Sequence, residues 1–188
     1  MPIPIPTVPL LLIVAALAQA RSQAPASSAP RVEYYLSEGR ILAPDGRPLG
    51  AMAGLARREY RPAEGTIAEL NIAIDPAPGS LATVLQVDWT VSASAAGSTA
   101  EIKDRSDRLT GKGRLVGPPW AWTEWTWTGS MRDVPGTFRT AARATRRGVA
   151  IRTDRLDAAG KAVEVFEQVD TRISKETYDL LRSRLLPQ

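Results

Sequence analysis

Between Leu81 and Ser94 the chain reads LATVLQVDWTVSAS, with Leu81, Leu85, Val87, Trp89 and Val91 on one side and Gln86, Asp88, Thr90 and Ser92 on the other. A period of two over this length is the pattern of a strand with one buried face, and it excludes an amphipathic helix, whose apolar residues recur at three and four. The rest of the chain repeats the theme in short runs, with turn residues at roughly ten-residue intervals. APDGRP (Ala43 to Pro48) is a turn signal, and TIAELNIAID (Thr66 to Asp75) places Leu70, Ile72 and Ile74 on one face. LTGKGRLVG (Leu109 to Gly117) is a strand whose glycines predict bending or close backbone approach. Runs at Thr137 to Thr145, Gly148 to Leu156 and Ala162 to Thr171 are joined by short glycine-bearing connections, as in an antiparallel meander.

Eight or nine strands of this kind predict a mainly β protein. The meander closes into a barrel or a strongly curved sheet, because closure removes the exposed edges of a long meander. Only the last segment changes period. In ISKETYDLLRSRLLPQ, Ser174 is placed as an N-cap, Glu176 lies in the first turn, and Ile173 and Tyr178 form a hydrophobic staple. Tyr178, Leu181 and Leu185 make one stripe, so a C-terminal α-helix over residues 174–186 should flank the sheet.

The N-terminus carries an apolar run, Leu10 to Ala18, followed by small residues at Ala18 and Ala20 and at Ser22 and Ala24. This is the layout of a secretory signal peptide cleaved after Ala20 or Ala24, and the run is too short to span a bilayer as a helix. Residues 1–24 are therefore expected to be a signal peptide and 25–31 a disordered linker. Residues 32–188 form a single domain, exported to the periplasm or secreted, with no transmembrane segment in the mature chain.

Composition narrows the chemistry. With no cysteine and no histidine, the chain cannot use disulfides, thiol nucleophiles, a Ser-His-Asp triad, or zinc or haem held by His. No cofactor and no metal site is expected. The 24 basic residues, among which only Lys103, Lys112, Lys161 and Lys175 are lysines, set a formal charge of +4. They are dispersed among 20 acidic residues, not gathered into the stripe of a nucleic-acid binder, so no nucleic-acid partner is expected. The pairs Arg57-Arg58 and Arg146-Arg147 read as solvated turn and strand-end positions.

Gly111 to Gly117 (GKGRLVG) leads into Pro119 to Trp125 (PWAWTEW), and the chain ends in the helix ISKETYDLLRSRLLP. With the export signal, these features resemble the bacterial lipocalin-like (calycin-type) barrel proteins, over about Leu55 to Leu186. The resemblance implies a closed barrel and no particular reaction.

Four of the five tryptophans fall in Trp120, Trp122, Trp125 and Trp127. A regular strand would put Trp120, Trp122 and Glu124 on one face and Trp125 and Trp127 on the other. A β-bulge at Thr123/Glu124 would reset the phase and line all four indoles on one face, with Ala121, Thr126 and Thr128 opposite. The second arrangement leaves a coherent small and polar outer face and is preferred. With Trp89, these indoles are either packed core, the wall of a site for a small apolar or cyclic ligand, or an exposed stacking platform. Arg139 and Arg143 share a strand face and are candidate anchors for an anionic head group. Glu124 is the candidate general acid or base, since a carboxylate among indoles would be desolvated. Three functions stay open: a barrel that binds a small apolar ligand, a carboxylate-dependent cyclase, isomerase or hydrolase, and an envelope interaction protein of unknown partner. The expectation leans away from an enzyme.

Overall fold

The computed structural model describes residues 29–74, 82–94, 97–104, 109–117, 122–131 and 134–186. Ten strands follow one another: β1 (Arg31–Leu42), β2 (Pro48–Arg61), β3 (Thr66–Ile74), β4 (Thr83–Ser94), β5 (Gly97–Asp104), β6 (Leu109–Val116), β7 (Glu124–Met131), β8 (Val134–Ala144), β9 (Gly148–Leu156) and β10 (Ala162–Ile173). Each pairs antiparallel with its sequence neighbours, and β1 pairs with β10 to close the barrel. The meander is as expected, and of the two expected forms, barrel or strongly curved sheet, it takes the closed barrel; the strand count among the described residues exceeds eight or nine. The Ala43 to Pro48 turn joins two long strands, and the second of them, PLGAMAGLARREYR, hides its alternation because its inward face carries Gly54, Ala56 and Arg58 while Leu55 on the other face is buried too.

On β4 the apolar residues point in and the polar ones out. Leu85, Val87, Trp89 and Val91 of β4 are buried while Gln86, Asp88, Thr90 and Ser92 are exposed. The interior core runs from these through Ile102, Leu109, Leu115, Trp122, Trp125, Trp127, Phe138 and Ile151. Part of the outer face of β1 to β3 is covered too. Helix α1 (Lys175–Leu185), capped by Ser174 accepting from the Thr177 backbone N–H at 3.2 Å, lays Tyr178, Leu181 and Leu185 over Leu36, Leu55 and Ile72. The Tyr178 and Tyr34 rings lie 5.0 Å apart. The apolar side of Thr66 to Asp75 read in the sequence is thus the outward face. Ile72 is buried beneath the helix, and Ile67, Glu69, Asn71 and Ala73 form the inward face.

Gly111 and Gly113 admit the largest side chain of the neighbouring strand. Gly113 pairs with Trp127, and a Cβ at Gly111 would stand 2.5 Å from Trp127 Cε3 and 2.8 Å from Cζ3. Gly111→Ala should therefore force the buried indole to shift and cost about 1–3 kcal/mol. Urea unfolding, set against the exposed control Thr126→Ala on the next strand, checks this.

Candidate functional site

Position 58 is the main departure from the sequence reading. Arg58 is not a solvated strand end; it is fully buried. It sits on β2 in phase with Ala56 and Tyr60, and closure of the barrel brings three strands around it. Its Nε donates to Glu69 Oε1 of β3 at 2.9 Å, and its Nη2 donates to Asp170 Oδ2 of β10 at 2.6 Å. The guanidinium lies 4.7 Å over the Tyr35 ring of β1. Both carboxylates find further donors. The Trp89 indole N–H reaches Glu69 Oε2 at 3.0 Å, while the Ser37 hydroxyl and the Gln168 amide reach Asp170 Oδ1 at 2.6 and 2.5 Å.

Removing three charges from water is expensive, and the cluster exists only because each is paired and hydrogen-bonded. Burial opposes the charge on Arg58, but Glu69 and Asp170 outweigh it and hold the guanidinium above its ordinary range. Burial pushes the Glu69 carboxyl up to about 7, against the pull of Arg58 and the Trp89 hydrogen bond. The Tyr35 phenol, whose hydroxyl donates to Glu33, is likewise raised by burial. Two carboxylates thus share one guanidinium, and a proton on Glu69 makes the trio neutral.

Beside this cluster stands an aromatic stack. Trp89 and Trp125 have ring centroids 5.3 Å apart, Trp125 and Trp127 stack at 4.8 Å, and Trp127 and Phe138 stack at 4.2 Å. All of these rings, with Trp122, are at most 1% exposed. Trp122 is buried in the same core as Trp125, three positions later, so the phase of the chain resets just before β7 begins at Glu124. The Thr123 N–H bonds the Val116 carbonyl even though Val116 is the register partner of Glu124, so two residues face one, as at a bulge. Trp120 lies outside the described residues.

Several buried polar atoms in this interior have no partner. They are both amide atoms of Asn71, the indole N–H groups of Trp122 and Trp125, and Gln168 Oε1. The Trp127 N–H, by contrast, donates to Thr140 Oγ1 at 3.2 Å, and Thr140 bonds Thr153 at 3.0 Å.

The remaining sequence candidates lie on the other side of the wall. Glu124 alternates with Trp125 and is only half-buried, out of phase with the described indoles of the core. Arg139 faces outward and pairs with Asp154 at 3.0 Å. Arg143 is exposed on the same outer face. Of the expected site residues, the structure joins Trp89, Trp122, Trp125 and Trp127, and separates them from Glu124, Arg139 and Arg143.

Sequence reading took Arg58 for a solvated position and passed over Glu69, Asn71 and Asp170. A signal was present: Arg58 is in phase with Tyr60, and Asp170 is in phase with Phe166, opposite charges at positions that otherwise carry large apolar residues. Among the described residues no group of three acidic side chains is placed to hold a metal ion.

Fold and site define a closed antiparallel barrel that encloses an ionic cluster against an aromatic stack. No protein-family model, curated protein or solved structure matches the chain. The assignment therefore stands at that class, a ten-stranded closed β-barrel with a C-terminal helix, and the lipocalin-like likeness rests on the sequence punctuation.

Proposed function

We propose that this is an exported barrel that binds a small, largely apolar ligand in its interior, against Trp89, Trp122, Trp125 and Trp127. The observation that carries the reading is the buried Asn71 amide without a partner on either atom, accompanied by the unpartnered indole N–H groups. A buried amide left unsatisfied costs about 1–3 kcal/mol, so a fold that keeps one in its core has a reason to fill it. A ligand with an apolar or cyclic body and one hydrogen-bonding group supplies both what the rings and what the amide lack. Export is supported by the Leu10 to Ala18 run with its small-residue cleavage pattern. An enzyme built on Glu124 draws no support from its position, since its carboxylate leaves the aromatic interior.

Native mass spectrometry on protein purified from its own host tests the reading. The expected result is a bound small molecule that is released on denaturation and lost in Asn71→Leu, while that variant unfolds at a urea concentration equal to or higher than the unliganded wild type. Wild-type protein without any adduct, together with an Asn71→Leu variant destabilised by cavity or clash alone, would show a packed core in place of a binding site.

A further inference from the structure

The outer wall of β1, β10, β9 and β8 carries a groove of about 670 Å³, within the roughly 300–1,000 Å³ typical of small-molecule sites. The strand registers dictate its shape. Across the four strands, Arg143 faces Ala150, Ala150 faces Val169, and Val169 faces Glu38. One row along, Arg152 faces Glu167 and Glu167 faces Arg40. That second row is a ridge whose charges are matched: Arg40 to Glu167 at 2.7 Å, Arg152 to Glu167 at 3.5 Å, and Arg152 to Asp154 at 2.9 Å.

The first row is different. Its centre is an apolar strip, Ala150 and Val169, and Val169 is 47% exposed. At its ends stand two opposite charges, Arg143 and Glu38, and among the described residues neither makes a hydrogen bond or an ion pair. They are three strand spacings apart, on the order of 14 Å between backbones. Bridging them directly is beyond the reach of their side chains, yet both flank one groove. The row is the complement of a linear molecule with a negative end, an apolar middle and a positive end.

We propose that this groove binds a linear zwitterion, with its carboxylate on Arg143, its apolar body along Ala150 and Val169, and its ammonium on Glu38. Two kinds of molecule share this chemistry, an ω-amino carboxylate and a short apolar peptide with free termini. A tripeptide extends roughly 10 Å and an eight-carbon chain is of comparable length, so both fit between the end charges. A guanidinium takes a carboxylate bidentately, which fixes the direction of the chain. Glu38 sets specificity by repelling a second carboxylate. The site is separate from the barrel interior and does not depend on the ligand proposed there.

The test is NMR titration of the full chain, reading the Val169 and Ala150 methyl shifts, with four probes: ω-aminooctanoate, trialanine, octanoate and octanedioate. At least one of the two zwitterions should bind and move both methyls, and which of them binds more tightly tells the free amino acid from the peptide. Octanoate should bind about fivefold more weakly, the loss of one exposed ion pair of about 1 kcal/mol. Octanedioate should bind more weakly still. Arg143→Gln should weaken the zwitterion by about fivefold, and Glu38→Gln should abolish the preference over octanoate. Both residues are exposed, so the variants should unfold at the wild-type temperature. Methyl shifts absent with every probe, or octanedioate binding as tightly as ω-aminooctanoate, would overturn the proposal.

Discussion

Arg58→Met should be the most damaging single substitution in the barrel, costing about 3–5 kcal/mol, a large share of the 5–15 kcal/mol that stabilises a typical domain. Met keeps the apolar stem but ends short of the guanidinium, so the loss is that of the charge, its hydrogen bonds and its packing on Tyr35. Glu69 and Asp170 would keep their burial and lose the guanidinium that holds them at 2.9 and 2.6 Å. Breaking one member of a buried ionic group is costly because the others remain uncompensated, whereas neutralising the whole group is not. The companion variant Arg58→Met/Glu69→Gln/Asp170→Asn should therefore recover most of the lost stability. Urea unfolding of the three proteins measures both effects. A single variant as stable as wild type, or a triple variant no better than the single, would mean the ionic cluster does not hold β2, β3 and β10 together in this way.

Glu69→Gln should change the pH dependence of folding more than its value at any one pH. In the native state burial raises the Glu69 carboxyl from 4.5 to about 7, so between those values the folded chain binds a proton that the unfolded chain has released. Stability then falls as pH rises. The contribution is fully present below pH 4.5 and lost as pH passes 7, amounting to about 3 kcal/mol across the window. Gln cannot titrate but can still accept from the Trp89 N–H. The stability of wild type relative to Glu69→Gln should thus drop by about this amount between pH 4.5 and 8. Glu59 and Glu176, whose carboxyls are held below their ordinary range by Arg61 and by the start of α1, act with the opposite sign. They are unchanged in both proteins and cancel in the difference. A difference that stays constant over the window would show that Glu69 is ionised throughout.

Both expectations rest on residues that the sequence does not mark as a group. Arg58 and Asp170 are 112 positions apart, and no local pattern relates them. What was legible locally came out as read: the alternation of β4, the turn at Ala43 to Pro48, the Ser174 cap of α1, and the glycines that make room for Trp127. Each depends on neighbours within a few residues or on the next strand of a hairpin. For the tryptophan strand the sequence offered two arrangements, a regular strand and a bulge at Thr123/Glu124, and the common burial of Trp122, Trp125 and Trp127 follows the preferred one for those three. Glu124 is next to the indoles in sequence but not in phase with them, because alternation sets it one position out of step with Trp125.

By itself, then, the amino-acid order determined a β meander, its turns, its capping helix and which residues share a face, since period, turn chemistry and capping are local properties of the backbone. It did not determine which face of β2 and β3 is the inside. Period two is symmetric between the two sides of a strand, and Leu55 and Ile72 are as well buried under α1 as they would be in the core. Only the docking of the helix and the pairing of β1 with β10 choose between them. That choice turns Arg58, Glu69 and Asn71 inward to meet Asp170, and it creates the polar interior on which the proposed ligand site depends.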